Sequence, residues 1–452
     1  MKNLKNLFHH TFHKKDGIKL LVLLVSNDGT VLAGCFLMYA RKQIDIGYRD
    51  LTAALGYCLW HGTDRRRLET NLEALWGDDA VTALSVRTAF DCWLATQNFP
   101  RGSEVIVSGI NIPDMARILE HHGLQMVPVD VNLHTMEILA DEVEDAISPR
   151  TRLVLVAHLF GSRMDMDPVF EITDQHSDIL VVEDCAQAFD GCNGYRGDDR
   201  SDLSLFSFGA IKTASALGGA LARVRDTDVR ERMRTMMATY PAQGRGYFFK
   251  RTLKFAALKI LGLNWVYAAF TQACGMFGVD YDQLVVNAVR GFRGDLIPLL
   301  RHQPALPQLA LLLRRLRQYP RERLEARRHA GQLVNHQLPA NLRCAGHANP
   351  HNTWWLFPVY ANYKSELVND LRAEGFDATA SSSQLCAMDG VDGPAVDCED
   401  FIDGTVYVPV YADIPHDALN RLAATLRQHA QAIPSALKEE PETELEPAIL
   451  GD

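Results

Sequence analysis

Leu180-Val181-Val182-Glu183-Asp184-Cys185-Ala186-Gln187, followed by Ser207-Phe208-Gly209-Ala210-Ile211-Lys212 and Gly218-Gly219, decides how this chain is read. The first part is an apolar run that ends in acids. An apolar run of this kind is the pattern of a strand buried on both faces, and in open α/β sheets ligands collect beyond the carboxyl ends of such strands. Working outward, similar runs recur. SEVIVSG (103–109), QMVPVDV (125–131) and RLVLVAHLFG (152–161) precede it; LSLFSF (203–208) and GALARV (219–224) follow. Helical patterns lie between them: MARILEHHG (115–123), which a glycine ends, and DPVFEITDQHS (167–177). The alternation predicts an α/β fold with a largely parallel sheet covered by helices. Upstream, residues 73–100 predict a short strand and then a helix, with Ser85 as N-cap and Ala89, Trp93 and Leu94 on its apolar face.

The rest of the chain divides by pattern. Residues 1–70 read as an N-terminal arm and 71–240 as the large α/β domain. Residues 241–300 break the rhythm with YFFKRTLKFAALKILGLNWVYAAFTQACGMFG, a hydrophobic helical insertion with lysines interleaved. It suits a lid, a subunit contact or a peripheral membrane contact through 245–278. Residues 301–340 read as a connecting helix that Pro320 kinks or splits. WWLFPVYA, SELVNDLRAEG, VYVPVYA and HDALNRLAATLRQHAQ predict a small C-terminal α+β domain over 341–435, and 436–452 an acidic, disordered tail.

Composition narrows the class. The chain has 452 residues, 47% of them hydrophobic, and a net charge of -10. That balance suits a large globular core and offers no basic footprint for nucleic acid. Nine cysteines without CxxC pairs argue against zinc sites and a disulfide framework, and for a reducing, cytoplasmic setting. IKLLVLLV (18–25) follows basic residues as a signal peptide would, but it is short and Ser26-Asn27-Asp28-Gly29 interrupts it, so it reads as part of the arm. There is no GxGxxG after the first strand, no P-loop and no HExxH.

The opening stretch carries a chemistry. Lys212 stands alone: no other lysine lies within 35 residues of it. Asp184 ends a buried strand, and Ser207 lies just before Lys212. An amine for a Schiff base, a carboxylate to keep a pyridine nitrogen protonated and a hydroxyl for a phosphate are what a pyridoxal 5'-phosphate site requires. The start of the helix after Ser85 adds Ser85, Arg87 and Thr88 as phosphate anchors. The side chain at 112, on one ring face, and Ala186 with Gln187, on the other, are candidate walls. His158 ends a strand without partner ligands at metal spacing, so it reads as a structural or cofactor-side polar group. Asp165 and Asp167 read as turn and cap residues.

VVEDCAQAFDG (181–191) and GDDRSDLSLFSFGAIKTASALGGALARV (197–224) resemble the DegT/DnrJ/EryC1/StrS aminotransferases, which move amino groups to keto sugars on nucleotide carriers. GSEVIVSGINIPDMARILEHHG and SPRTRLVLVAHLFGSRMDMDPV resemble the same family. The resemblance implies a fold type I, aspartate-aminotransferase-like architecture and a homodimer. It implies Lys212 as the Schiff-base lysine, Asp184 on the ring nitrogen, Gln187 beside the phenolic oxygen and Ser207 on the phosphate. Relatives that dehydrate carry histidine in place of that lysine. Departures fall around the cofactor: Ile112 stands where the family has an aromatic, and Arg301-His302 where it has an asparagine from the neighbouring subunit. The expected activity is amino transfer from an amino acid, glutamate by family habit, to a keto sugar. A lipid-linked or apolar acceptor at a membrane surface and a non-catalytic PLP-fold protein are the alternatives.

Overall fold

The computed structural model describes residues 22–25, 31–34, 37–59, 62, 64–289, 294–339, 343–361, 363–380, 385–391 and 393–429. The expected acidic tail, and most of the apolar run with its interruption, lie outside the described residues. Seven strands, numbered here in chain order, form the central sheet: β1 (Ala80–Ala83), β2 (Glu104–Ser108), β3 (Gln125–Val129), β4 (Thr151–Ala157), β5 (Leu180–Asp184), β6 (Leu203–Ser207) and β7 (Ala220–Val224). They lie in the order β1-β7-β6-β5-β4-β2-β3. Only β7 runs against its neighbours; every other pairing is parallel. Asp184 pairs with Ala157 on one side and Leu205 on the other, so the carboxyl ends of β4, β5 and β6 lie side by side.

Period-two alternation assigns each strand's side chains to two faces. Val105, Val107, Leu153, Leu155, Leu203 and Leu205 pack with Phe90 and Trp93 of the helix Val86–Gln97. The other face is covered in two patches. Ile106, Val154 and Val156 meet Phe170 of the short helix Asp167–Thr173. Phe206 and Leu221 meet Trp76, Leu309 and Leu312. That second patch corrects the arm over 1–70. The helices Tyr48–Leu59 and Arg65–Trp76 belong to the body, where Leu51, Ala54, Leu72 and Trp76 are buried. Asp64 caps the second of them by accepting the Arg67 N–H at 3.3 Å.

Pro320 separates the helices Leu306–Gln318 and Arg321–Asn335. The insertion forms helices Arg245–Leu261, Asn264–Met276 and Tyr281–Val289. Among the described residues no single helix is long and apolar enough to cross a membrane; the first two insertion helices reach that length only as a pair bent by 90°. In the C-terminal part, the strands Phe357–Tyr360 and Thr405–Val408 pair antiparallel, with the helices Lys364–Ala373 and His416–His429 packed on them. The expected strand at WWLFPVYA starts three residues late because Trp354 takes φ 52°, which no extended strand accommodates.

Candidate active site

Beyond the carboxyl ends of β4, β5 and β6 a cavity opens whose lining includes Lys212, Gln187, Ile112, Lys42 and Trp355. Lys212 reaches it from the turn after β6, where its N–H donates to the Gly209 carbonyl at 3.0 Å. The Lys212 Nζ lies 4.1 Å from the centre of the Trp355 ring, and among the described residues no hydrogen bond reaches it. Burial pushes its pKa down to about 8; Asp184 opposes that shift and Arg87 adds to it. An amine so placed is a better nucleophile near neutral pH than a surface lysine.

Asp184 lies beneath, at the end of β5. One of its oxygens accepts the Ala186 N–H at 3.0 Å. Burial raises its pKa, while the Ala186 N–H, Lys212, His158 and Arg87 counteract the rise in part. It is therefore an acid short of positive charge. Its neighbour Glu183 points to the opposite face of the strand and is fully satisfied there. His158 Nε2 (2.8 Å), Tyr195 (2.5 Å), Ser201 (2.5 Å) and the Asp198 N–H (2.7 Å) all donate to it. His158 Nδ1 accepts the Met164 N–H at 3.2 Å, which puts the ring proton on Nε2. Burial opposes ionisation of Glu183, but these donors prevail and hold its pKa below the usual range. Cys185 joins His158 and Glu183 in a buried trio, yet two of the three already have hydrogen-bond partners.

The remaining sequence candidates divide. Gln187 and Ile112 line the cavity, and the Gln187 Oε1 accepts the Phe160 N–H at 3.0 Å. Ser85 caps the helix Val86–Gln97 by accepting the Thr88 N–H at 3.1 Å. The Thr88 hydroxyl donates to the Leu300 carbonyl at 2.9 Å, so its side chain is engaged in the interior rather than turned to a ligand. Ser207 Oγ accepts the Gly209 N–H at 3.4 Å, at the foot of the Lys212 turn. Arg87 pairs with Asp114. The Arg301 Nε and Nη2 both donate to the buried Asp91 carboxylate, at 2.9 and 3.1 Å, and Arg301 is not among the residues that line this chain's cavity.

Several lining residues carried little sequence signal. Lys42 lies in the stretch read as an arm, and Trp355 in one read as a strand. The insertion supplies an apolar wall of Leu258, Leu261, Tyr267, Val285 and Val286. Asp377 holds that wall in place. It is buried and accepts from Tyr267 (2.7 Å), Tyr281 (3.1 Å) and Arg41 (2.8 Å). Such a hub is invisible in sequence because its partners come from two distant segments, the N-terminal stretch and the insertion.

The model of the DegT/DnrJ/EryC1/StrS aminotransferase family matches residues 50–275. GDP-perosamine synthase of Caulobacter vibrioides is 28% identical over 198 residues, which cover 44% of this chain and 51% of that protein. The chain thus matches about half the length of that relative. Among solved structures, PseC of Helicobacter pylori, an aminotransferase of pseudoaminic acid biosynthesis, superposes with TM-score 0.62 at 16% identity, covering 86% of this chain and 98% of its own. The aminotransferase TlmJ of Streptoalloteichus hindustanus gives TM-score 0.60 at 18% identity, with 86% and 98% covered. The E. coli GDP-4-keto-6-deoxy-D-mannose-3-dehydratase gives TM-score 0.62 at 15% identity, with 86% and 99% covered. The family model spans half of the chain, and the chain belongs to the DegT/DnrJ/EryC1/StrS aminotransferase family.

Proposed function

We propose that this protein binds pyridoxal 5'-phosphate through Lys212 and moves an amino group from an amino acid, glutamate by family habit, to a keto sugar on a nucleotide carrier. One observation carries the reading: the Lys212 amine lines the cavity, and the buried Asp184 carboxyl at the end of β5 is its electrostatic neighbour. The residues fit the cofactor. A buried acid short of counter-charge is matched by a protonated pyridine nitrogen, and an amine freed from hydrogen bonds is ready for an aldehyde.

When bound, the cofactor supplies the electron sink that stabilises negative charge on the substrate carbon. The chain's own groups do the rest. Lys212 holds the cofactor covalently and, once displaced, carries the proton to and from the substrate carbon. Asp184 keeps the proton on the ring nitrogen. Ile112 and Gln187 flank the ring space, and Ser207 with the N-terminus of the helix Val86–Gln97 anchors phosphate. The apolar insertion wall excludes water, which strengthens these charges. A dehydratase shares this fold, so the fold alone does not choose between loss of water and amino transfer. A lysine at 212 favours amino transfer, because the resemblance implies histidine at this position in relatives that dehydrate, and histidine forms no Schiff base.

A second reading has one observation in its favour. The insertion wall is apolar, and Trp265, Met276 and Phe277 of the same helices are exposed, which supports contact beyond the chain with a membrane carrying an apolar acceptor. A homodimer would cover the same side chains. Liposome flotation and light scattering separate these outcomes. The acceptor is tested by loading the enzyme with glutamate and offering keto sugars and lipid ketones, with mass spectrometry of the products. Aminated nucleotide sugar is expected; aminated lipid ketone alone, or no product from any acceptor, contradicts the reading.

A further inference from the structure

Two amines share one tryptophan ring. Lys42 Nζ lies 3.3 Å from the centre of the Trp355 ring, and Lys212 Nζ 4.1 Å from it. Lys212 has its role under the proposed function; Lys42 has none. Yet Lys42 lines the same cavity, its Nζ is shut off from solvent, and it has no hydrogen-bond partner among the described residues. Arg41, also on the lining, leaves its Nη1 buried and unpartnered. The other nearby cation is engaged: Arg327 donates to Thr213 at 2.7 Å and faces Asp45.

A buried ammonium without a partner is costly, and a chain tolerates it where a ligand restores the missing charge and hydrogen bonds. Burial, Lys212 and Arg327 all push the Lys42 pKa down, a shift that an anion bound at its Nζ would oppose. Lys42 and Lys212 line one cavity together with Gln187, Ile112 and the apolar insertion wall, so the Lys42 amine faces the space that a substrate reacting at Lys212 would enter.

We propose that Lys42 is a specificity-determining residue that binds an oxyanion carried by the substrate, a step that rests on the PLP reading of Lys212. Two substrates bring that chemistry: the carboxylate of the amino donor and the diphosphate of a nucleotide-linked acceptor. The donor is the closer match. Its α-carboxylate is separated by a single carbon from the amine that replaces Lys212, and Lys42 sits on the same ring as Lys212. The Trp355 ring packs against both amines.

Calorimetric titration of the purified protein with 2-oxoglutarate and, separately, with GDP tests this on wild type, Lys42→Met and Lys42→Arg. Lys42→Met is expected to lose at least about tenfold in affinity for 2-oxoglutarate, while Lys42→Arg retains most of it. Loss confined to GDP assigns the oxyanion to the acceptor and still supports the proposal. Unchanged affinity for both anions in folded Lys42→Met overturns it. Borohydride reduction of the same samples with PLP keeps the two readings apart. An adduct on Lys212 in wild type and Lys42→Met upholds the PLP reading whatever the titrations give. Its absence from both sinks that reading while the titrations still judge Lys42.

Discussion

Lys212 illustrates how a site stores free energy. In the unfolded chain its amine titrates near the ordinary lysine value, while in the fold it titrates near 8. Below pH 8 both states carry the proton, and the folded state bears the full cost of a charged amine in a poorly solvated cavity. Between pH 8 and the unfolded value the folded state sheds its proton first, so this cost disappears as pH rises. The shift corresponds to about 3 kcal/mol at most, and less where cavity water reaches the side chain, which is only part-buried as a whole. Cofactor-free Lys212→Met is thus expected to be more stable than wild type by about 1–3 kcal/mol at pH 7, with the gain shrinking from pH 8 to 10 in urea titrations. An equal gain at both ends of that range would contradict the placement of the amine. The motif pair Asp184 and Lys212 was legible in sequence because a strand-end acid and an isolated lysine near Gly-Gly are local features. Lys42 was not, because its meaning comes from a ring more than 300 positions away.

At the scale of elements, the strands were the most legible part. Each reads as a short apolar run, and the sheet buries all but the edge strand β3 on both faces, so pattern and environment agree. The antiparallel direction of β7 was not legible, since direction depends on the connection and not on composition. The helix pair Tyr48–Leu59 and Arg65–Trp76 was missed because three arginines, Arg65 to Arg67, mask an apolar face set by Leu68, Leu72 and Trp76. The loop that carries Trp355 depends on two glycines. Gly161 takes φ 109°, and a Cβ there would lie 2.5 Å from the Trp355 nitrogen; one on Gly331 would lie 2.2 Å from the Trp354 ring. Gly161→Ala is expected to cost about 2–4 kcal/mol, from the strained φ and the displaced backbone together. Because that displacement moves Trp355, PLP affinity should fall with stability. Denaturant titration and absorbance of the bound cofactor check both, and a variant of wild-type stability would refute the close approach.

Across the whole molecule, distant segments converge on one cavity: the N-terminal stretch with Lys42, the large domain with Gln187 and Lys212, the insertion with its apolar wall, and the C-terminal part, which brings Trp355 and anchors that wall through Asp377. Asp377 ties three of these together. Asp377→Ala leaves Tyr267 and Tyr281 without this acceptor and Arg41 with Asp282 as its carboxylate partner, and is expected to cost about 3 kcal/mol, the low end of the loss of one partner of a buried charged pair. Hydrogen exchange should rise over the helices Asn264–Met276 and Tyr281–Val289 and stay unchanged in β4, β5 and β6; a uniform rise would mean that the insertion is not hinged on this residue. The most direct test of the account addresses the covalent link itself. Protein incubated with PLP is reduced with borohydride, digested and mapped by mass spectrometry. The account predicts a pyridoxyl mass on the peptide containing Lys212, and its disappearance in Lys212→Ala. A pyridoxyl mass on Lys42 or another lysine instead, or on none, would contradict it.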